Sequence, residues 1–286
     1  MTLSVIGNLA ILVMLLLFLY RLQQTHVSFT RRVFSGLGLG VLFGWALQLL
    51  YGVGSEVLVQ TGDYLDMVGS GYVKLLQMII IPLIMVSIIG AILKLSGGTA
   101  LGKISALTIG VLIFTTMIAA GAGILMSNLF GLSAEGLVAG AAETARGAAL
   151  QTSLGSVESM SLPKMVLEFI PANPFLDMTG ARKTSTIAVV IFSIFIGLSA
   201  TGIARKQPEI FASFERFMQV AHAIVMRMVT LVLRLTPYGV LALMAKVVSG
   251  SNYADIINLL NFVLASYGAI AIMFLVHLLL VSLVGI

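Results

Sequence analysis

Long apolar runs separated by short polar segments dominate the chain. Seven of these runs are long enough to cross a bilayer as helices, since about 20 residues span the hydrocarbon core. They cover residues 4–20, 33–51, 68–93, 104–130, 186–204, 220–245 and 257–285. The runs lack the period-two alternation of a membrane β-barrel. The pattern therefore predicts an all-α, polytopic membrane protein with about seven transmembrane helices.

The composition agrees with this fold class. Of the 286 residues, 59% are apolar and 9% are charged, and the mean hydropathy is +1.10. Too few polar residues remain to coat a water-soluble domain of this size. The net charge of +5 is spread thinly along the chain, which argues against a nucleic-acid partner. Because the sequence has no cysteine, disulfides and thiolate chemistry are excluded.

Lys and Arg in the short loops predict the orientation of the chain. Loops 21–32, 94–103 and 205–217 are rich in these residues and fall on one side if the spans alternate. We expect that side to be cytoplasmic. The first segment is expected to be a retained helix, because no basic region precedes it and no small-x-small site ends it. A signal peptide is the alternative.

Residues 131–185 interrupt the series of spans. Met165–Ile170 is too short to cross a bilayer, and Pro171 and Pro174 each lack a backbone donor and restrict the preceding residue. The segment is therefore predicted to be an external loop followed by a short or broken helix.

Few residues suggest chemistry. The sequence contains no hydrolase or metal-binding motif and no phosphate-binding Gly-x-x-x-x-Gly-Lys-Ser, so neither a catalytic residue nor a metal site is predicted. His277, inside the seventh run, is either a proton relay or a hydrogen-bonded packing residue. Arg227 and Arg234 are seven residues apart and share a helix face. They either attract anions or extend toward the membrane surface, and the sequence leaves both roles open.

Small and hydroxyl-bearing residues mark two of the runs. Gly36, Gly40 and Gly44 form two overlapping Gly-x-x-x-Gly motifs, and Ala119–Gly123 is a second stretch of small residues. Both permit close helix approach, either within the chain or between protomers. The adjacent hydroxyls of Thr115 and Thr116 suit a hard cation, although threonine in a helix often bonds its own backbone carbonyl.

Three motifs carry a resemblance to a known family. They are Phe169-Ile-Pro-Ala-Asn-Pro-Phe175, Leu235-Thr-Pro-Tyr-Gly-Val-Leu-Ala-Leu243 and Leu75-Leu-Gln-Met-Ile-Ile-Ile-Pro-Leu-Ile-Met85. Their order matches that of the dicarboxylate/amino acid:cation symporters, the glutamate-transporter homologues, which the chain resembles over most of residues 31–285. Within that family it looks most similar to the bacterial L-cystine uptake symporters.

The resemblance implies a function. We expect a secondary active transporter that imports an amino acid, with L-cystine as substrate, by symport with a proton or sodium. The resemblance also implies a homotrimer in the cell inner membrane and neither an enzyme nor a cofactor beyond the coupling cation. A non-transporting membrane scaffold or assembly subunit is the alternative. An intramembrane enzyme is disfavoured because the sequence has no paired Asp, Ser-Lys or His-Glu-x-x-His arrangement.

The resemblance also divides the chain into parts. Residues 1–30 are an extra N-terminal helix with a basic loop, and 131–185 are the external loop and broken helix. The segments 31–102 and 186–256 correspond to scaffold helices, and 103–130 and 257–286 to helices of a mobile transport domain. The family's two re-entrant hairpins have no counterpart in the sequence. We therefore expect a C-terminally truncated chain that holds no substrate-binding residue.

The coupling cation is assigned to two residues by resemblance alone. Thr115 and Thr116 align with a hydroxyl pair at one of the family's cation sites, and we expect them to bind the cation. The site's tyrosine is replaced by Leu112 here, a departure that leaves proton coupling open.

Overall fold

The computed structural model describes residues 2–95, 101–132, 147–148, 150–151, 161–251 and 253–284. Within these ranges the chain forms helices and no strand. The helices are α1 (Leu3–Gln24), α2 (Phe29–Tyr51), α3 (Glu56–Leu95), α4 (Leu101–Leu129), α5 (Leu162–Glu168), α6 (Pro174–Met178), α7 (Ser185–Ile203), α8 (Pro208–Leu233), α9 (Thr236–Gly250) and α10 (Tyr253–Val284). Much of the predicted external loop, residues 133–146, 149 and 152–160, lies outside the described residues.

Seven of the described helices are long and apolar enough to cross a membrane, which confirms the predicted fold class. The candidate spans are Leu3–Gln24, Phe29–Tyr51, Glu56–Lys94, Gly110–Leu129, Ser185–Ile203, Pro208–Leu233 and Leu260–Leu283. The third is far longer than its predicted segment. At about 1.5 Å per residue, the 40 residues of α3 extend for roughly 60 Å, twice the thickness of the hydrocarbon core.

The predicted sixth span, residues 220–245, is wrong in its bounds. The chain breaks at Arg234 and Leu235 into α8 and α9. Pro237 provides no backbone donor, and its ring suits the first turn of a helix, so a new helix begins beside it. The Thr236 hydroxyl donates to the carbonyl of Leu233 at 2.7 Å and occupies one acceptor that the end of α8 leaves free.

The chain divides into two compact units. The first contains Met1–Gly97 and Ala148–Gly250, and the second contains Gly98–Gly147 and Ser251–Ile286. In the second unit α4 packs along α10. In the first unit, α8 and then α9 run antiparallel along α3. Tyr72 of α3 bonds Thr236 at 2.9 Å, and Asp66 of α3 lies beside Lys246 of α9.

The first unit has two apolar cores joined by α3. One core combines the first half of α3 with α1, α2 and α9, and its members are Leu12, Leu19, Phe43, Leu47, Leu58, Leu65, Leu241, Ala242 and Ala245. The other combines the second half of α3 with α7 and α8, and its members are Ile79, Val86, Ile89, Leu93, Ala200, Met218, Val225 and Val232. The long helix α3 therefore contributes to both cores and connects them.

Glycines let α2 and α9 approach closely and in parallel. A Cβ built on Gly40 would lie 2.5 Å from the carbonyl oxygen of Leu241, and one on Gly44 would lie 2.5 Å from that of Ala245. One turn earlier, a Cβ on Gly36 would collide with the carbonyl oxygen of Pro237. The predicted Gly-x-x-x-Gly contact is therefore made within the chain, where no larger residue fits without a backbone shift.

Candidate functional site

The two threonines predicted to bind a cation lie on α4, and both hydroxyls bond their own helix. The Thr115 hydroxyl donates to the carbonyls of Val111 at 2.9 Å and Leu112 at 3.2 Å. The Thr116 hydroxyl donates to the same Leu112 carbonyl at 2.7 Å. Thr115 is buried, with 8% of its surface exposed, whereas Thr116 is exposed. The two neighbours therefore have different environments.

This geometry is compatible with a cation ligand without establishing one. A hydroxyl that donates its hydrogen to a carbonyl keeps its oxygen lone pairs, and these can accept a second partner or bind a cation. In the described part of the chain, no group of three or more His, Asp or Glu side chains is placed to hold a metal ion. The cation role of Thr115 and Thr116 therefore stays a prediction.

Three polar side chains of α10 also contact backbone carbonyls of their own helix, as the threonines of α4 do. The hydroxyls of Ser266 and Ser282 donate to their own helix at 2.8 Å, to the carbonyls of Phe262 and Leu278. His277 is exposed, and its Nδ1 lies 2.6 Å from the carbonyl oxygen of Met273 one turn earlier. This contact accounts for one ring nitrogen, and among the described residues no acidic side chain forms an ion pair with His277.

A buried ion pair that the sequence did not predict lies before α7. Asp177 of α6 is 1% exposed, and Arg182 grips both of its carboxylate oxygens, with Nε and Nη2 each 2.8 Å away. The Ser185 hydroxyl donates to the same carboxylate at 3.2 Å. Arg182 Nη1 also donates to the carbonyl oxygen of Glu168 at 3.2 Å, at the end of α5. The pair thus ties α5, α6 and the start of α7 together.

Local chemistry explains how this segment folds. Asn173 caps α6, because its side-chain oxygen accepts from the backbone N–H groups of Phe175 and Leu176 at 3.0 and 3.3 Å. Pro174 follows at the first helical position, and Gly180, with φ of 71°, takes the left-handed turn that brings Arg182 back to Asp177. The only sequence feature that could have predicted this pair is the spacing of Asp177 and Arg182, which are five residues apart with Gly180 between them.

Other charged side chains of the long helices are less buried than Asp177. Arg227 and Arg234 of the α8 region are exposed, and neither forms an ion pair within the described residues. Lys246 is paired with Asp66, which also accepts a hydrogen bond from the Ser70 hydroxyl at 3.1 Å. The structure thus places these groups at the surface and does not gather them into one site.

Comparison with known proteins identifies the class of protein that this fold belongs to. Residues 29–286 match the sodium:dicarboxylate symporter family, so the chain is a member of that family of membrane transporters and not an enzyme. The match covers every helix from α2 to α10. The family predicted from the three sequence motifs is therefore confirmed.

Within the family, the chain is similar to proteins named for L-cystine uptake. It is 53% identical over 284 residues to L-cystine uptake protein TcyP of Bacillus thuringiensis (strain Al Hakam). The identity to the proteins of the same name is 50% over 285 residues for Bacillus licheniformis and 49% over 284 for Bacillus subtilis (strain 168). These alignments cover 99–100% of the chain but 61–62% of each relative. The chain thus spans less than two thirds of the length of the curated relatives it matches.

Proposed function

We propose that this chain is part of a symporter that imports L-cystine with a coupling cation. The observation that carries the proposal is the similarity to three proteins named for L-cystine uptake, at 49–53% identity over nearly all of the chain. The similarity includes the helices of both units, and no large segment of the chain is left unmatched. A secondary transporter of this family needs neither a prosthetic group nor a catalytic residue.

We assign the first unit to a stationary scaffold and the second to a mobile transport domain. The two segments that the resemblance gave to the transport domain, residues 103–130 and 257–286, fall in the second unit. The buried Asp177–Arg182 pair and the glycine contacts between α2 and α9 lie in the first unit, where they favour a rigid support. These features support the division. From the family resemblance, we also propose that the protein is a homotrimer in the cytoplasmic membrane.

We assign the coupling cation to Thr115 in preference to Thr116. A cation that is bound within a membrane protein exchanges its water shell for protein oxygens, and a ligand shielded from solvent suits that exchange. Thr115 is buried and has free lone pairs, while Thr116 is exposed. Leu112 leaves this helix without a tyrosine at the corresponding position, so the ion remains either sodium or a proton.

The test is uptake of radiolabelled L-cystine into vesicles that contain the protein expressed from its gene. Sodium and pH gradients are imposed separately, so that each can be shown to drive or not to drive uptake. We expect saturable uptake that collapses when one of the two gradients is removed. Correctly inserted protein that shows no uptake under either gradient would favour the non-transporting subunit.

Residues 1–286 expressed alone are expected to give no uptake. A coupled carrier needs polar groups near the midplane that hold the carboxylate and ammonium of an amino acid. No acidic residue lies at the centre of any predicted span, and Asp66, the nearest, lies at the outer edge of the third and is paired with Lys246. Saturable, gradient-driven uptake by the purified fragment would contradict this expectation.

A further inference from the structure

A groove of about 350 Å³ lies in the first unit between the second half of α3 and the first half of α8. Lys94 and Gly90 line it from α3, and Glu215, Gln219 and His222 line it from α8. On α8 these three residues are spaced four and three apart, so they share one face of the helix. The groove therefore has a polar wall along α8.

The register of the two helices places the charged residues at the same end of the groove. Tyr72 of α3 bonds Thr236 at 2.9 Å. Lys94 follows Tyr72 by 22 residues, and Glu215 precedes Thr236 by 21. Because the helices are antiparallel, these nearly equal steps bring Lys94 and Glu215 to one level.

This end of the groove is at a membrane surface. Lys94 is the last residue of the third candidate span, and residues 204–207, just before α8, join two candidate spans. Of the four Asp, Glu, Lys and Arg residues of α8, three lie within residues 208–216, and Glu215 is one of them. The start of α8 is therefore suited to the polar headgroup region that flanks the hydrocarbon core.

Opposite charges line the groove here without neutralising one another. Lys94 is exposed and Glu215 is partly buried. Among the described residues, neither forms an ion pair within 4 Å. A ligand that carries a cation next to an anion satisfies both side chains at once, whereas a purely anionic ligand is repelled by Glu215.

Uncharged donors and apolar side chains line the rest of the groove. Gln219, Ser87 and His222 lie further from the surface, and each has a group that can donate a hydrogen bond. Leu93 and Met218, which are 4% and 5% exposed, also line the groove. Charges at the surface, donors below them and apolar walls match the headgroup, the ester carbonyls and the acyl chains of a phospholipid.

We propose that this groove binds one molecule of phosphatidylethanolamine. Its ammonium donates to the carboxylate of Glu215, and its phosphate accepts from the ammonium of Lys94. Phosphatidylcholine has the same charges, but its trimethylammonium has no N–H to donate. The site therefore distinguishes two lipids of equal net charge by a charge-assisted hydrogen bond.

The experiment uses the protein expressed from its gene and purified in detergent. Binding of short-chain phosphatidylethanolamine and of phosphatidylcholine with the same chains is measured by native mass spectrometry. We expect phosphatidylethanolamine to bind about tenfold more tightly, the effect of one hydrogen bond to a charged group. Glu215→Gln is expected to abolish this preference. The matched control Glu209→Gln changes an exposed acid of α8 outside the groove and is expected to keep it.

A further variant tests the shape of the groove. The position of a Cβ on Gly90 has no neighbour within 4 Å, so Gly90→Leu fills the space without altering a charge. Leucine is also the better helix former, which favours a folded variant. We expect weaker binding of both lipids, and this variant decides the result if Glu215→Gln does not fold.

Four outcomes would overturn the proposal. They are equal binding of the two lipids by the unchanged protein, the same loss of preference in Glu209→Gln as in Glu215→Gln, unchanged binding in Gly90→Leu, and binding of ethanolamine phosphate as tight as that of phosphatidylethanolamine. The last probe is the headgroup without its chains, so its tight binding would indicate a site for a soluble amine and not for a lipid.

Discussion

Two stretches of small residues in this chain have different surroundings. On α2, the Gly36–Gly40–Gly44 motif touches the backbone of α9, and any added Cβ would collide there. On α4, Gly121 and Gly123 have no neighbour within 4 Å of the position that a Cβ would take. The glycines therefore touch a neighbouring helix in the first unit, whereas those of α4 touch none among the described residues, although Ala122 between them is buried.

The burial of the helices follows the same division. In the first unit, 28% of the residues of the α2 span are buried, against 11% of the α4 span and 6% of the α10 span in the second. Buried small residues and ion pairs hold the first unit together, so substitutions there are expected to cost stability. Substitutions on α4 are expected to leave the fold intact and to act on function.

The largest effect on stability is expected from Asp177→Asn. The substitution keeps the shape of the side chain but removes the charge that Arg182 grips at 2.8 Å through two nitrogens. Asp177 is 1% exposed and Arg182 28%, so the substitution leaves Arg182 partly covered with only the distant carboxylate of Glu168 as an acidic neighbour. Breaking a buried pair in this way costs about 3 kcal/mol or more of the free energy of unfolding. Thermal and denaturant unfolding in detergent measure the loss.

Glu168→Gln is the control for that prediction. The Glu168 carboxylate is also near Arg182, at 3.6 Å, but its side chain is 45% exposed. Its backbone carbonyl, which accepts from Arg182 and Thr184, is unchanged by the substitution. An exposed pair contributes less than about 1 kcal/mol. Similar losses from Asp177→Asn and Glu168→Gln would show that burial does not set the strength of this cluster.

The second prediction concerns the glycine contact. Gly40→Ala places a methyl group 2.5 Å from the carbonyl oxygen of Leu241 and 3.0 Å from its Cα, so the α2 and α9 backbones must separate. Overpacking of this kind costs roughly 1–3 kcal/mol. Gly38→Ala, two residues away on the open side of α2, has no neighbour within 4 Å and is expected to be neutral or slightly stabilising. Equal unfolding temperatures for the two variants would contradict the packing.

Hydropathy predicts the membrane helices because the bilayer demands a fixed length of apolar residues. It does not predict where one helix ends and the next begins within an apolar run, so the break at Arg234 and Leu235 was missed in the segment 220–245. The glycine motif on α2 similarly predicts close approach to a helix but does not identify the partner. That partner, α9, is about 200 residues away and is fixed only by tertiary packing.

The sequence likewise did not predict the charged pairs, because the fold and not a sequence pattern brings their members together. Asp66 and Lys246 are 180 residues apart, and no periodicity connects them. Asp177 and Arg182 are near in sequence, but Arg182 lies in the irregular chain after α6, where the left-handed turn at Gly180 sets their separation. Thr115 and Thr116 were found from residue type alone, and the structure adds that one is buried and the other exposed.

A smaller effect is expected from the Asp66–Lys246 pair. Their side chains are 37% and 46% exposed, so solvent weakens the attraction, and such pairs contribute about 0–1 kcal/mol. The double-mutant cycle of Asp66→Asn and Lys246→Met measures the coupling directly. A coupling energy near that of the Asp177 cluster would show that the pair lies in a less polar setting than its exposure indicates.

The smallest effect on stability, and the sharpest on function, is expected from Thr115→Val and Thr116→Val. Each removes a hydroxyl that bonds its own helix, and valine has nearly the same shape, so both are expected to change the free energy of unfolding by less than about 1 kcal/mol.

Because the fold is expected to stay intact, a change in the ion dependence of uptake indicates that a cation ligand has been lost. In the protein expressed from its gene, Thr115→Val is expected to raise the sodium or proton concentration for half-maximal L-cystine uptake about tenfold, since it removes one oxygen from the cation. Thr116→Val, at the exposed position, is expected to change it less, and Thr115→Ser, which keeps the hydroxyl, is expected to restore it. If neither valine variant alters the ion dependence while both still transport, the coupling cation is bound by other residues.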